Sequence, residues 1–81
     1  EVVAVGADVK SLREGDRVVV PCVIACGACA YCKQLEYSAC DNSNPKQVES
    51  AAVLGVPGAA IFGYSAVTGS YAGAQAEYLR V

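Results

Sequence analysis

The sequence predicts a small, mainly β domain that is interrupted by an irregular, cysteine-rich lobe. Two β-branched runs near the N-terminus, Val2–Val5 and Arg17–Pro21, are bounded by turn-forming residues, which is typical of strands. Four of the five cysteines fall between positions 26 and 40, in a stretch with few strand formers. The chain has 81 residues, of which 54% are hydrophobic and 17% charged, which excludes a disordered segment and allows at most one small domain. An apolar start without Met favours a piece of a larger protein.

The first strand is expected to end at the turn Gly6-Ala7-Asp8. Glu14-Gly15-Asp16 then predicts a tight turn into the second strand, Arg17–Pro21. The apolar residues of this strand are continuous rather than alternating, which predicts burial on both faces. Its last residue, Pro21, cannot donate a ladder hydrogen bond and therefore marks a strand end or an edge.

Weaker patterns follow the cysteines. Lys46–Leu54 has loosely helical spacing and is followed by Gly55, so a short helix that stops there is predicted. Residues 58–73 are rich in Gly and Ser and are predicted to form a loop. Residues 75–81 alternate polar and apolar side chains, which predicts a half-buried strand at the C-terminal end.

Composition excludes several functions. The formal charge is −2 with no cluster of Lys or Arg, so we expect no nucleic-acid partner. The chain has no His, which excludes a Ser-His-Asp or Cys-His catalytic group within it. The apolar run 51–62 is too short to span a membrane and is broken by Gly55, Pro57 and Gly58. Because the first residues also lack the features of a signal peptide, we expect a soluble, cytoplasmic protein with no membrane partner.

The cysteines carry the strongest functional signal. Their pattern is C-x2-C-x2-C-x7-C, formed by Cys26, Cys29, Cys32 and Cys40. Two-residue spacings allow tight turns that direct neighbouring thiolates to one ion, and Gly27 can adopt the positive φ that such a turn requires. Four thiolates complete the tetrahedral shell of Zn²⁺ and leave no position for water. We therefore predict a structural, non-catalytic zinc site within a lobe spanning residues 22–44.

Iron is the main alternative metal. A bacterial iron–sulfur cluster uses C-x2-C-x2-C-x3-C-P, whereas here the fourth cysteine comes four residues later and Asp41 stands in place of the proline. Rubredoxin-like iron requires two separate C-x2-C pairs, and only one overlapping set exists. The fifth cysteine, Cys22, is out of register with the others and is predicted to pack as a small buried hydrophobe. Lys33 follows the third cysteine and is interpreted either as a cation near the metal or as a solvated side chain.

The residues from Glu14-Gly15-Asp16-Arg17-Val18 to the cysteine pattern resemble the zinc-containing alcohol dehydrogenases of the medium-chain dehydrogenase/reductase family. Residues 37–42 and 63–81 look like the formaldehyde dehydrogenase-like branch of that family. The resemblance implies that residues 1–81 form a partial GroES-like barrel, within the catalytic domain. Full-length members oxidise small alcohols or aldehydes with a catalytic zinc and NAD(P), and homo-oligomers are expected among them.

The resemblance also implies what this segment lacks. It has neither a Gly-His-Glu catalytic zinc motif nor the G-x-G-x-x-G of a nucleotide-binding domain, so no catalytic or cofactor-binding residue is expected and the segment alone should be inactive. Ala66, Ser70 and Ala74 depart from residues common in the branch, and the last two would restrict a glycine-rich loop near the substrate. A self-contained zinc-binding interaction module, without enzymatic activity, is the alternative interpretation.

Overall fold

The computed structural model describes residues 1–81 and contains few regular elements. In chain order these are strand β1 (Val23–Ile24), helix α1 (Ala30–Lys33), a 3₁₀ turn at Tyr37–Ala39, helix α2 (Gln47–Leu54), strand β2 (Ala60–Ile61) and a second 3₁₀ turn at Ala66–Thr68. The two strands pair antiparallel, with Val23 opposite Ile61 and Ile24 opposite Ala60. The chain is therefore mostly non-helical with a two-stranded sheet, as expected of a partial, mainly β fold.

Helix α2 confirms the prediction made from residues 46–54. Lys46 occupies its N-cap position and Gly55 its C-cap position, with φ of 82° in the left-handed region that glycine adopts without strain. The helix has eight residues, and no helix of this structure is long and apolar enough to cross a membrane.

The three predicted strands are not formed. Val2 joins residues 15 and 16 through two hydrogen bonds, Val2 N–H to the Asp16 carbonyl (2.9 Å) and Gly15 N–H to the Val2 carbonyl (2.8 Å). Residues 17–21 and 75–81 make no backbone hydrogen bond, and Val19 is 93% exposed rather than buried on both faces. A β-rich sequence becomes a strand only where a partner backbone is hydrogen-bonded along it, and in these three runs only Val2 makes such bonds. The predicted loop at 58–73 in turn contains β2 and the second 3₁₀ turn.

The small core lies around the cysteine lobe. Only seven of the 81 residues are buried, and the apolar ones are Cys32, Cys40, Ala59 and Ala60. Val23, Cys26 and Cys29 pack against this cluster from its edge. The prediction that Cys22 packs as a buried hydrophobe is wrong, because its thiol is exposed while its carbonyl accepts the Phe62 N–H at 2.9 Å.

Candidate metal centre

Each of the four clustered cysteines is placed by a different piece of local structure. Cys26 follows β1 directly, after Ala25. Cys29 is the N-cap of α1, and its side chain accepts the Cys32 N–H. Cys32 lies inside α1, and Cys40 is the C-cap of the first 3₁₀ turn. The turn between the first two thiols passes through Gly27, whose φ of 75° confirms the positive value expected of it.

A Schellman motif at the end of α1 then reverses the chain toward the fourth cysteine. Leu35 N–H donates to the Cys32 carbonyl at 3.0 Å, and Glu36 N–H donates to the Tyr31 carbonyl at 2.9 Å. Leu35 occupies the left-handed position of this motif, with φ of 64°, where glycine is the usual residue. The reversal brings the 3₁₀ turn and Cys40 back against the first three cysteines.

The four sulfurs are arranged as the corners of one small tetrahedron. All lie within 4.8 Å of one another, and the Cys26–Cys32 and Cys29–Cys40 sulfur pairs are 4.0 and 3.9 Å apart. A zinc–sulfur bond of about 2.3 Å in tetrahedral geometry requires sulfurs about 3.8 Å apart. The residues present therefore fit a single ion. A four-iron cluster would hold its cysteine sulfurs farther apart, because irons and sulfides lie between them.

Backbone amides surround the sulfurs. Ala28 and Cys29 donate their N–H groups to the Cys26 sulfur at 3.4 and 3.2 Å. Cys32 N–H donates to the Cys29 sulfur at 3.5 Å, and Cys26 N–H donates to the Cys40 sulfur at 3.4 Å. Because N–H donors stabilise a thiolate more than a thiol, this arrangement favours the protonation state that binds metal.

The hydrogen bonds and burial act differently on individual thiols. The amides of Ala28 and Cys29 lower the pKa of Cys26 below its ordinary value. Burial raises the pKa of Cys32 to about 12. Burial also opposes ionisation of Cys40, but the Asn42 amide, with weaker contributions from the Cys26 amide and the Ser43 hydroxyl, lowers its pKa to about 6. The centre therefore combines one thiol that readily ionises near neutral pH with one that gives up its proton only to a metal.

The other residues singled out in the sequence lie outside this cluster. Cys22 is not among the four residues whose ligand atoms converge. Lys33 is exposed and forms no hydrogen bond or ion pair with the cysteines, which favours the solvated interpretation. Ser43 and Asn44 were not singled out in the sequence, where they lie in the run of turn formers Asp41-Asn42-Ser43-Asn44-Pro45. The signal available was that Asn and Ser side chains in such runs commonly bond backbone groups.

Comparison with known proteins identifies the family. The sequence model of the alcohol dehydrogenase GroES-like domain matches residues 1–81. The chain belongs to this family. The chain is 51% identical over 77 residues to AdhB of Bacillus subtilis, an "uncharacterized zinc-type alcohol dehydrogenase-like protein". The match covers 95% of this chain and 18% of that protein.

Two further relatives bear on the branch. A zinc-type alcohol dehydrogenase-like protein of Schizosaccharomyces pombe is 45% identical over 76 residues, covering 94% of this chain and 18% of the relative. A glutathione-independent formaldehyde dehydrogenase of Bacillus subtilis is 40% identical over all 81 residues and 17% of its own length. The GroES-like chain thus spans less than a fifth of the length of these curated relatives. No solved structure gave a significant match.

Proposed function

We propose that Cys26, Cys29, Cys32 and Cys40 bind one structural zinc ion in a zinc- and NAD(P)-dependent alcohol or formaldehyde dehydrogenase-type oxidoreductase. The observation that carries this proposal is the sulfur tetrahedron, whose 3.9 and 4.0 Å separations suit a single zinc ion. The names of the relatives, zinc-type alcohol dehydrogenases and a formaldehyde dehydrogenase, support the enzyme class.

A structural rather than catalytic role follows from the ligand count. Catalytic zinc keeps an open position for water or substrate, whereas four thiolates fill the tetrahedral shell. When bound, such an ion supplies folding energy and no Lewis-acid chemistry toward substrate. The protein supplies the ligands: β1, α1 and the first 3₁₀ turn each bring one or two sulfurs to a common point. A bound ion would therefore fix these three elements relative to one another.

The reaction itself is proposed to depend on residues outside these 81. The chain has no His and no G-x-G-x-x-G sequence, so hydride transfer with NAD(P) would need additional chain, in a protein of the relatives' length. In such a protein we infer that the exposed valines of this segment, Val19 above all, pack against the remainder of the catalytic domain. The proposed substrate class is a small alcohol or aldehyde.

Metal analysis tests the first part of the proposal. The purified chain should contain about one zinc per molecule, and replacing zinc with Co²⁺ should give the intense sulfur-to-cobalt absorption of a four-thiolate site. Iron with a visible charge-transfer band, or no tightly bound metal after expression with zinc, would contradict a structural zinc site.

Activity measurements test the proposed oxidoreductase class and distinguish it from the alternative, a zinc-binding interaction module. The 81-residue chain should neither bind NAD(P) nor oxidise alcohols. A protein as long as the relatives that includes this chain should do both. A full-length protein that binds zinc through these cysteines but never binds NAD(P) would favour the module instead. Turnover by the isolated chain would overturn the assignment of the chemistry to residues outside it.

A further inference from the structure

Two consecutive side chains after the metal centre bind a segment far along the chain. Asn44 is only 6% exposed, and its amide nitrogen donates to the Gly58 carbonyl at 3.3 Å and to the Val67 carbonyl at 2.9 Å. Its amide oxygen accepts the Lys46 N–H at 2.9 Å, immediately before helix α2 begins. All of the hydrogen-bonding groups of this side chain are thus directed at backbone, and two of them cross to the segment that contains β2 and the second 3₁₀ turn.

Ser43 adds a second connection beside the first. Its hydroxyl oxygen accepts the N–H of Ala60, a fully buried residue of β2, at 3.1 Å. Its carbonyl accepts the hydroxyl of Tyr71 at 3.4 Å. Ser43 therefore bonds both ends of residues 60–71, Ala60 through its hydroxyl and Tyr71 through its carbonyl.

The other connections between this segment and the cysteine lobe lie at the start of the segment, where β2 pairs with β1. Its first residues are held by the backbone bonds of Ala59 N–H to the Ser38 carbonyl and Phe62 N–H to the Cys22 carbonyl. The turn at Ala66–Thr68 is closed internally by the Ser65–Thr68 capping box. Apart from its packing against α2, the hydrogen bond from Asn44 to the Val67 carbonyl is what joins this turn to the lobe.

We propose that Ser43 and Asn44 form a clasp through which the metal centre holds the loop 62–71 in place, with Asn44 as the positioning residue for that loop. The proposal rests on the proposed function, since it requires a metal at the four cysteines. Cys40 lies only three residues before Ser43, and Cys32 and Cys40, two of the four buried apolar residues, are proposed ligands, so a bound ion would fix the start of residues 40–44. Order in the loop therefore depends on metal occupancy, and the dependence passes through these two side chains.

Hydrogen exchange in the zinc-loaded full chain tests the clasp, with Asn44→Asp as the test variant. The substitution keeps the side-chain oxygen that accepts the Lys46 N–H but removes both donors to Gly58 and Val67. The amides of Thr68, Gly69 and Ser70 should exchange about tenfold faster or more, the scale expected when buried carbonyls lose their donors. Gln75→Glu is the matched control, because it makes the same amide-to-carboxylate change at an exposed side chain outside the clasp and the metal centre, and it should leave the loop unchanged.

A second readout separates positioning from support of the metal. The Co²⁺ absorption and the zinc content of Asn44→Asp should remain those of the wild type while its loop exchanges faster. In the wild type, removal of zinc by a chelator should release the same amides. Wild-type exchange in the loop of Asn44→Asp would overturn the proposal, as would loss of metal in that variant as complete as in Cys40→Ser. If the wild type itself binds no zinc, the proposed function fails; if it binds zinc and the loop is insensitive to chelation, only the clasp fails.

Discussion

Replacing Cys40 with serine should abolish the stable fold of the lobe. Cys40 is fully buried, and its sulfur is both a corner of the tetrahedron and the acceptor of the Cys26 N–H. A hydroxyl at this position is a poor zinc ligand at neutral pH, so the fourth corner would be lost. The variant should bind zinc far more weakly than the wild type does.

The size of the effect follows from how little else holds the chain together. At roughly 0.05–0.15 kcal/mol per residue, a native chain of 81 residues has a free energy of unfolding of about 4–12 kcal/mol. Structural zinc contributes an apparent binding free energy of about 10–16 kcal/mol in small zinc domains, and that energy is folding energy. With four buried apolar residues, two of them proposed ligands, the apolar core cannot replace it. Loss of tight zinc binding is therefore sufficient to unfold the lobe.

Cys22→Ser provides the matched control for this experiment. It makes the same substitution at an exposed cysteine outside the cluster. Urea unfolding followed by tyrosine fluorescence, with zinc content measured on the same samples, should show a wild-type transition for Cys22→Ser. Cys40→Ser should show neither the transition nor the metal. Superimposable unfolding curves for the two variants, with one zinc bound in each, would refute the argument.

Three further predictions concern strain, packing and protons. Leu35→Gly should raise the free energy of unfolding by about 1 kcal/mol in urea, because Leu35 has φ of 64° and a side chain that is 72% exposed; a lower midpoint would contradict this. Gly63→Ala should cost about 1–3 kcal/mol, since its φ is 67° and a Cβ would lie 2.7 Å from the nearest backbone atom. Gly58→Ala, whose Cβ would meet nothing closer than 3.9 Å, should be nearly neutral by the same measurement. At pH 7, zinc binding should release fewer than four protons, because Cys40 with a pKa of about 6 is already ionised whereas Cys32 with a pKa of about 12 is not. The affinity of the chain for zinc should fall further as the pH drops through 6, because Cys40 is then protonated. Calorimetry in buffers of different ionisation enthalpy measures the number of protons released on zinc binding. Release of four protons at pH 7 would contradict these pKa values.

Features that depend on neighbours in the sequence were predictable, and those that depend on distant partners were not. Helix α2 and its end at Gly55 follow from local spacing and from one glycine, and both are confirmed. The strands of residues 2–5, 17–21 and 75–81 were predicted from β-branched or alternating residues, but strand formation requires a hydrogen-bonded partner that composition does not reveal. The pairing of β1 with β2 joins Val23 to Ile61, 38 positions apart, which no local pattern specifies.

The same distinction applies within the site. The convergence of Cys26, Cys29 and Cys32 follows from two-residue spacings and from Gly27, both visible in the sequence, whereas the return of Cys40 depends on a chain reversal at Leu35 that no glycine indicates. The exposure of Cys22 and the role of Asn44 depend on which distant backbone groups lie beside them. Asn44 bonds carbonyls 14 and 23 residues away, and a turn-forming run gives no indication of such partners.

The exposed surface of the chain limits how much apolar packing can stabilise it. A compact monomer of 8.3 kDa is expected to expose about 4,600 Å², whereas this chain exposes 6222 Å². The excess of roughly 1,600 Å² is about twice the ~800 Å² that one partner buries in a standard protein–protein interface, and valines at positions 18–20, 48, 53 and 56 contribute to it. Because this apolar surface remains in contact with water, it contributes nothing to folding here, so zinc bound at the four cysteines would be the main source of stabilising free energy. Covering the valines should therefore add stability that is independent of zinc, so chelation should unfold the 81-residue chain more readily than it unfolds the same residues within a protein of the relatives' length.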